Sequence, residues 1–349
     1  MPGLTVIVAD ADGIRLEESF GLADVGRGDE MSLTTSCNWF SMTKLVTATA
    51  VVQLADEGRL DLDAPVIDSY APLSTLRPAD RVRTMTARHL LSHSSGLANP
   101  LPLRWVHDAA QPGPDQDRFV RGLLERNRRL RFTPGSKAAY TNLGYLVLGE
   151  LVAQTSGEPF DIYVRTHVLE PLGMTSTGFI VLEPSTWATP YQSQLTPLGM
   201  VMPLLIPRAI LGGRDGRFRA LRHFYVDGAA YGGLVGPIAD AALFLRMHLG
   251  DGQLDGARIL SSDAARAMRI IVAHGRKIEV GLGWFRRGKV RSSEFVEHLG
   301  GGVGFWNCLR LYPHVGLGAV VMGNATTYDH EAIVTAAIDE THTRRSTPR

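Results

Sequence analysis

The order of the hydrophobic patterns along the chain restricts the fold more than any other feature of the sequence. The alternating segments Leu4–Ala9 and Ile14–Phe20 flank Asp12-Gly13, which predicts a β-hairpin. Strand patterns return only near the other end of the chain, at Val280–Arg286, Ser293–His298, Gly304–Tyr312 and Leu317–Met322. Consecutive strands joined by short turns such as Gly301-Gly302 pair in antiparallel fashion. The sequence therefore predicts an α+β fold whose antiparallel sheet is assembled from both ends of the chain.

Helical patterns fill the middle of the chain. They cover Thr43–Glu57, Asp117–Arg126, Leu143–Gln154, Phe160–Leu169, Ile238–Leu249 and Ser262–Arg269, and a last one covers Asp329–Glu340. The polar tail Thr341–Arg349 is expected to be frayed. We expect a single domain over residues 1–349, with a sheet lobe at about 1–60 and 270–343 and a mainly helical lobe at about 61–269.

Charge and cysteine content exclude several classes of function. The chain has 36 basic and 35 acidic residues, so its overall charge attracts neither nucleic acid nor an anionic membrane. Cys37 and Cys308 cannot form a disulfide framework and are expected as free, buried thiols. No basic segment followed by an apolar one begins the chain, and no stretch is long enough to span a bilayer. A cytoplasmic protein without a membrane span is therefore expected, and the alternative is a protein whose N-terminus was trimmed.

The strongest chemical signal is Ser41-Met42-Thr43-Lys44, at the start of a predicted helix. Residues three apart lie on one face of a helix, so the amine and the hydroxyl are neighbours. The positive end of the helix favours an alkoxide and lowers the lysine pKa, so Lys44 can be the base that a serine nucleophile needs. The sequence has only four lysines, and arginine cannot replace lysine as a base. The alternative interpretation is a surface lysine at a helix start.

Two weaker signals follow. Tyr140-Thr141-Asn142 places a phenol and an amide on the same side of a turning segment, where the phenol can relay a proton; the alternative is a helix-capping turn. His298-Leu299-Gly300-Gly301 ends a predicted strand, where backbone N–H groups can face a developing oxyanion; the alternative is a hairpin turn with a surface histidine.

Together and in this order, the three motifs resemble the serine β-lactamase and penicillin-binding protein superfamily. The resemblance is closest to the branch of class C β-lactamases, family VIII carboxylesterases and D-alanyl-D-alanine carboxypeptidases. Further phrases support it along nearly the whole chain, at Arg88–Leu97 (RHLLSHSSGL), Phe132–Gly135 (FTPG), Pro171–Met174 (PLGM), Gly232–Leu234 (GGL) and Gly281–Trp284 (GLGW). The resemblance implies an antiparallel sheet flanked by helices, a helical lobe and an active site between them.

The resemblance also implies a role for each motif residue. Ser41 is the nucleophile that becomes acylated, and Lys44 is its activating base. Tyr140 exchanges protons with Ser41 and the leaving group, and Asn142 positions Lys44 and the substrate. The backbone N–H groups of Ser41 and Gly301 form the oxyanion hole. His298 and Gly300 orient the substrate from the neighbouring strand.

One departure from the superfamily pattern bears on the substrate. His298 stands where the β-lactamases of this group have the lysine of K-T-G, and Leu299 replaces a residue with a hydroxyl group. A fixed cation suits the carboxylate of a β-lactam or of a peptide C-terminus, and histidine supplies one only when protonated. The departure favours neutral ester or amide substrates.

The leading hypothesis is a serine hydrolase that cleaves small or medium apolar esters through an acyl-enzyme. A β-lactamase, a D-amino-acid peptidase or amidase, an acyltransferase and a non-catalytic penicillin-binding or sensor module remain alternatives. No H-E-x-x-H or H-x-H metal signature and no G-x-S-x-G elbow occurs, so neither a metal nor another cofactor is expected. The apolar stretch Pro197–Gly212 is predicted to be a packed loop, a short helix or a flap beside the binding site. The sequence gives no indication of oligomeric state.

Overall fold

The computed structural model describes residues 1–287 and 295–346 and has the predicted α+β fold. The strands are β1 (Gly3–Ala9), β2 (Ile14–Asp24), β3 (Asp29–Glu30), β4 (Ser36–Asn38), β5 (Val106–Asp108), β6 (Tyr191–Ser193), β7 (Leu211–Asp215), β8 (Phe218–Leu221), β9 (Phe224–Val226), β10 (Val235–Pro237), β11 (Gln253–Leu254), β12 (Ala257–Arg258), β13 (Ala273–His274), β14 (Ile278–Val280), β15 (Phe285–Arg287), β16 (Val296–Gly302), β17 (Phe305–Tyr312) and β18 (Leu317–Gly323). The α-helices are α1 (Thr43–Asp56), α2 (Ala79–Val82), α3 (Ala87–Leu91), α4 (Gln116–Arg126), α5 (Asn142–Ser156), α6 (Phe160–Val164), α7 (Pro197–Leu205), α8 (Ala229–Gly232), α9 (Ile238–Leu249), α10 (Ser262–Arg269) and α11 (His330–Ser346).

The central antiparallel sheet joins the two ends of the chain, as predicted. Its strand order is β13-β14-β15-β16-β17-β18-β1-β2-β3. The two chain ends meet where β1 pairs with β18, with Leu4 opposite Gly323 and Ala9 opposite Gly318. The predicted hairpin is β1–β2. The centre of the sheet therefore depends on pairing between residues more than 300 positions apart in the sequence.

Alternate side chains of β1 and β18 pack into two different cores, as expected for a strand buried on both faces. Ile7 and Val320 face the larger core, which also contains α1 and α9. Val8 and Val321 face a smaller core that is covered by α11. Helix α1 is buried from Thr43 to Leu54 and packs against α5, α6, α8 and α10, so nearly its whole circumference is contact surface.

Several predicted boundaries differ from the structure. The segment Val280–Arg286 is not one strand but the end of β14, a bend at 281–284, and β15. The bend contains Gly283 at φ +92° and Gly281, whose added Cβ would lie 2.5 Å from the carbonyl oxygen of Met268. Glycine is needed for both the positive φ and the close approach. The structure thus replaces one predicted strand by a strand pair around the bend.

Gly301 and Gly302 do not form the turn between the last strands. Both lie in β16, and the turn follows at Val303-Gly304, with Gly304 at φ +77°. The first two residues of the predicted strand Ser293–His298 lie outside the described residues, and the described part of the strand begins at Val296.

The C-terminal part of the chain is more helical than predicted. Helix α11 continues to Ser346, and the Thr341 hydroxyl is buried and donates to the Ala337 carbonyl oxygen at 2.8 Å. The prediction of fraying from Thr341 is wrong as far as Ser346, because the helix continues to that residue and Thr341 is buried. Residues 347–349 lie outside the described residues.

The middle of the chain, residues 61–269, also contains strands. A small sheet of order β6-β8-β7 adjoins α7, and Tyr191 forms an isolated bridge to Ala325 after β18. Segment 197–212, predicted to be a loop, a short helix or a flap, forms α7, a 3₁₀ turn at Arg208–Ile210 and the start of β7. Among the described residues, no helix is both long enough and apolar enough to cross a membrane. Cys37 and Cys308 are free and buried, as expected.

Candidate active site

Ser41 lies in a short 3₁₀ turn, Phe40–Met42, that leads directly into α1. In the fully described stretch from Thr35 to Leu54, Ser41 is the only residue that is not buried. The preceding residue, Phe40, has φ +47°, a left-handed conformation that bulky side chains rarely adopt. Such a conformation costs about 1–3 kcal/mol and persists only where the surrounding structure enforces it. The turn presents the Ser41 hydroxyl to solvent from an otherwise closed core.

Lys44 is fully buried one helical turn after Ser41. Its Nζ donates to Ser41 Oγ at 3.0 Å and to the Tyr231 carbonyl oxygen at 2.8 Å. Burial lowers the pKa of Lys44 well below its ordinary value, because desolvation disfavours the ammonium ion. A neutral amine keeps a lone pair that can accept the Ser41 proton over this short distance. The alternative of a surface lysine at a helix start is wrong.

Tyr140 lies just before α5 and meets the same hydroxyl group. Burial raises the pKa of the Tyr140 phenol, and a hydrogen bond with Ser41 partly offsets the rise. The phenol therefore carries its proton in the resting site and can donate it to a leaving group. The Tyr140 ring centroid lies 5.0 Å from Lys44 Nζ, so the three side chains Ser41, Lys44 and Tyr140 form one cluster.

Two residues of the cluster were not identified as site residues from the sequence. Tyr231 holds Lys44 through its backbone oxygen, and its ring centroid lies 5.1 Å from Nζ. His93 is fully buried, and its ring centroid lies 4.3 Å from that of Tyr140. Its Nδ1 accepts a hydrogen bond from the Thr141 N–H at 3.3 Å, which fixes the backbone next to Tyr140. The signals were available, because His93 lies in the RHLLSHSSGL phrase and Tyr231 precedes the Gly232-Gly233 pair.

Asn142 is the first residue of α5 and lines the cleft in front of Ser41. Its backbone N–H donates to Asn99 Oδ1 at 2.9 Å, and its own Oδ1 is buried without a hydrogen-bond partner among the described residues. The hydrogen bonds of Lys44 in the described chain go to Ser41 and Tyr231, not to Asn142. An unpaired buried amide oxygen costs free energy unless a ligand supplies a donor. The geometry leaves Asn142 free to meet a substrate.

His298 and Gly300 lie behind the cleft wall rather than on it. His298 is fully buried in β16, and its Nδ1 lies 2.9 Å from the Leu299 carbonyl oxygen. Burial and the nearby Lys44 lower the pKa of His298 to about 3, so the ring is neutral at physiological pH. The alternative of a surface histidine on a hairpin turn is wrong. A Cβ added to Gly300 would lie 2.0 Å from the Trp39 carbonyl oxygen, so this glycine lets β16 run against the turn that carries Ser41.

Gly301 and Gly302, in contrast, form part of the cleft wall. An added Cβ would lie 2.3 Å from the Trp306 ring at Gly301 and 2.1 Å from the Phe40 ring at Gly302. Glycine therefore allows the backbone to be exposed beside Ser41 with aromatic rings behind it. This edge is where the backbone N–H of Gly301, with that of Ser41, is predicted to bind an oxyanion.

The cleft itself has a volume of about 1020 Å³. Its lining residues are Phe40, Ser41, Pro102, Leu103, Val106, Tyr140, Asn142, Gln192, Thr196, Met202, Tyr231, Gly301, Gly302, Val303, Trp306, Thr326, Thr327, Tyr328, Asp329 and His330. Most of this surface is aromatic, aliphatic or glycine. Among these described lining residues there is no lysine or arginine, and Asp329 is the one carboxylate. In the ranges 1–287 and 295–346, no group of three or more potential ligand side chains could hold a metal ion.

Comparisons with known proteins agree with this arrangement. A family model described as Beta-lactamase matches residues 1–342. "Esterase EstB" of Burkholderia gladioli is 34% identical over 236 residues, which cover 64% of this chain and 58% of that protein. "Penicillin-binding protein 4" of Amycolatopsis lactamdurans is 30% identical over 275 residues, covering 78% of this chain and 66% of that protein. The chain thus spans less than two thirds of the length of these two relatives.

The solved structure of the octameric penicillin-binding protein homologue from Pyrococcus abyssi has the same fold. It superposes with a TM-score of 0.76 at 22% identity and covers 97% of this chain and 73% of that chain. The chain belongs to the Beta-lactamase family, a serine hydrolase superfamily of esterase, β-lactamase and D-alanyl-D-alanine carboxypeptidase types.

Proposed function

We propose that this member of the Beta-lactamase family is a carboxylesterase that hydrolyses neutral esters with an apolar acyl or alcohol group through a covalent acyl-enzyme. The observation that carries the proposal is the composition of the cleft wall. The described lining residues include no lysine or arginine, and their carboxylate, Asp329, would repel an anionic substrate. A β-lactam and a peptide C-terminus each carry a carboxylate, whereas a simple ester does not.

His298 supports the same conclusion. A protonated histidine could hold a substrate carboxylate in place of the lysine found in related β-lactamases. The lowered pKa of about 3 keeps His298 neutral, and the residue does not line the cleft. Substrate binding then depends on apolar contact with residues such as Leu103, Val106 and Met202.

In acylation, Ser41 Oγ forms a bond to the ester carbonyl carbon while its proton passes to Lys44 Nζ. The carbonyl oxygen becomes an oxyanion, which the N–H groups of Ser41 and Gly301 stabilise. When the bond to the alcohol oxygen breaks, Tyr140 donates its proton to that oxygen and recovers one from the Lys44 ammonium. Water then attacks the carbonyl carbon of the acyl-enzyme and gives a proton to Lys44 or Tyr140. As the bond to Ser41 Oγ breaks, that proton passes to Oγ, and the carboxylic acid and free Ser41 are released.

The test is a plate assay of wild type and Ser41→Ala. It compares nitrophenyl acetate and nitrophenyl octanoate with a chromogenic cephalosporin and a D-alanyl-D-alanine peptide. We expect ester turnover that disappears in Ser41→Ala, with cephalosporin and peptide turnover at least about 100-fold lower, since the described cleft lining offers a substrate carboxylate no lysine or arginine. Cephalosporin or peptide turnover equal to ester turnover would contradict the proposal.

Acyl transfer and a non-catalytic role are tested in the same plate. Adding an alcohol or amine acceptor distinguishes a hydrolase from an acyltransferase by the product formed from the common acyl-enzyme. An ester product that outweighs the free acid would replace hydrolysis by transfer. A protein that labels with neither a fluorophosphonate nor a fluorescent penicillin would be a non-catalytic binding module, and the proposal would fail.

A further inference from the structure

The part of the cleft rim formed by residues 195–222 has a composition unlike the rest of the chain. We call it the rim segment; it contains α7, the 3₁₀ turn after it, and strands β7 and β8. One side of α7 packs against the rest of the protein. Met202 is buried and lines the cleft, and Ile206, which follows the helix, is buried in the core. The segment is therefore fixed beside the entrance to Ser41.

The other side of α7 is apolar and exposed. The exposed fractions are 63% for Met200, 45% for Val201, 77% for Leu204 and 37% for Leu205, and the adjoining Leu195 is 68% exposed. Met200 and Leu204, and likewise Val201 and Leu205, are four residues apart and so form one continuous stripe. A row of large apolar side chains in water is typical of a surface that meets an apolar phase or a partner.

Positive charge is concentrated in the same segment as this stripe. Of the 36 basic residues, Arg208, Arg214, Arg217, Arg219 and Arg222 lie in the rim segment, whereas only Asp215 of the 35 acidic residues does. The rest of the chain is therefore net acidic. Arg208, Arg214, Arg217 and Arg222 are exposed. Within the part of the chain that the structure describes, none of these four makes an ion pair with a carboxylate.

Charge complementarity distinguishes the possible occupants of this surface. In a symmetric dimer the same patch meets itself, so the arginines of one copy would face those of the other and repel them. An anionic lipid surface satisfies both halves of the patch: its acyl region takes up the leucines, and its phosphates pair with the arginines. Apolar residues flanked by arginine are the pattern of segments that lie in a membrane interface.

We propose that the rim segment docks the protein on an anionic lipid surface, with the cleft opening toward the lipid. Leu204 and Met200 enter the interface, and the four exposed arginines contact lipid phosphates. The substrate would then be an ester dissolved in the lipid phase, which enters the cleft past Met202. This substrate class rests on the proposed esterase function. The docking itself does not depend on catalysis.

The test measures co-flotation of the full chain with vesicles of phosphatidylcholine alone and of phosphatidylcholine with an equal amount of phosphatidylglycerol. We expect binding to the anionic vesicles that weakens as salt is added, since the arginine contacts are screened. Arg214→Gln/Arg217→Gln should weaken binding by about fivefold per arginine. Met200→Ser/Leu204→Ser should weaken it at least about tenfold. Equal binding by all variants, or none by wild type, would overturn the proposal.

Matched controls separate local from general effects. Arg83 and Arg118 are exposed outside the rim segment, and Leu182 is 76% exposed there as well. Arg83→Gln/Arg118→Gln and Leu182→Ser should bind vesicles like wild type, and an equal loss in these variants would overturn the proposal. A concentration-dependent dimer that Leu204→Ser dissociates would also overturn it, in favour of a second copy as the occupant.

Hydrolysis of soluble nitrophenyl acetate is measured in parallel, so that the two proposals fail separately. Met200→Ser/Leu204→Ser should keep wild-type activity on this ester, because neither residue lines the cleft. Ester turnover without vesicle binding would contradict the proposed docking surface and leave the esterase proposal standing. Vesicle binding without turnover of any ester would contradict the esterase proposal and its lipid substrate, and would still support the docking surface.

Discussion

The floor of the cleft and its rim segment both border the space in front of Ser41, but they differ in burial and charge. At the floor, Lys44 is buried and Tyr140 is partly buried, and desolvation lowers the pKa of Lys44 and raises that of Tyr140. At the rim, leucines and arginines are exposed and make few contacts with the rest of the chain. The floor has the geometry that a chemical step requires, and the rim has the surface that a large or water-insoluble ligand requires.

This difference predicts how each region responds to mutation. Changes at the floor should impair the chemical step and act alike on esters with short and long acyl chains. Changes at the rim should leave the chemical step intact and alter only which substrates or surfaces are selected. A floor variant with altered preference for acyl-chain length, or a rim variant that loses turnover of small esters, would contradict this comparison.

The largest effect is expected at Ser41 and Lys44, the proposed nucleophile and its proposed base. Ser41→Ala and Lys44→Met should each lower kcat/KM for nitrophenyl acetate at least about 10⁴-fold, and the double variant should lose no more, because the pair acts as a unit. The measurement is steady-state kinetics of the three variants. Additive losses in the double variant would show that Lys44 acts independently of Ser41.

Lys44→Met should also change stability, in the opposite direction to activity. The pKa of Lys44 is lower in the folded than in the unfolded chain, so the unfolded chain binds the extra proton and burial of the lysine costs free energy at neutral pH. We expect the free energy of unfolding at pH 7 to rise by about 0.5–2 kcal/mol in Lys44→Met. The difference should shrink as pH approaches the ordinary lysine pKa. Denaturant unfolding at two pH values measures it, and a destabilised variant would contradict a costly, neutral Lys44.

The second effect is expected at Tyr140, the proposed proton donor. Tyr140→Phe should lower kcat about 10²–10⁴-fold, because the phenol supplies the proton to the leaving alcohol. The loss should be smaller for nitrophenyl esters than for alkyl esters, since nitrophenolate leaves without a proton. Comparing the two leaving groups measures this, with Tyr145→Phe as a control, because the Tyr145 hydroxyl donates to the Leu91 carbonyl oxygen rather than to Ser41. Equal losses for both leaving groups would give Tyr140 a different role.

These two regions also differ in how far the sequence predicted them. The floor was predicted because Ser41 and Lys44 are neighbours on one helical turn, and this relation needs no tertiary information. The sheet was predicted because alternation marks strands at both ends of the chain. The bend between β14 and β15 was missed, because Gly283 takes its positive φ from packing that only the folded chain contains.

Tertiary contact also explains what was missed at the site. His93 and Tyr231 join the cluster from positions far from Ser41 in sequence, and His298 lies behind the wall because Gly300 draws β16 against Trp39. The apolar run of the rim segment was visible in the sequence. The local excess of arginine was missed, because the overall charge of the chain is balanced. Net charge averages over the whole chain, whereas an interface depends on the charges within about a Debye length.

The third effect is expected at the glycine edge of β16. Gly301→Ala should lower kcat about 10²–10³-fold for short and medium esters alike, the loss typical of one oxyanion donor, because its Cβ would lie 2.3 Å from the Trp306 ring and displace the strand. Steady-state kinetics measures it, and Gly13→Ala is the control, since nothing lies within 4 Å of a Cβ added there. Wild-type kcat in Gly301→Ala would remove this residue from the oxyanion hole.

The smallest effect is expected at α7, where one helix offers a matched pair of methionines. Met202 lines the cleft and is 6% exposed, whereas Met200 is 63% exposed on the opposite side. Met202→Ala should lower kcat/KM for nitrophenyl octanoate about three- to tenfold relative to nitrophenyl acetate, because a longer acyl chain loses an apolar contact that a short chain never makes. Met200→Ala should leave this ratio unchanged with soluble esters. If both variants lower the octanoate-to-acetate ratio equally, the helix acts through its position as a whole. If Met202→Ala instead lowers acetate and octanoate turnover alike, the rim takes part in the chemical step. The distinction between the two regions would then fail.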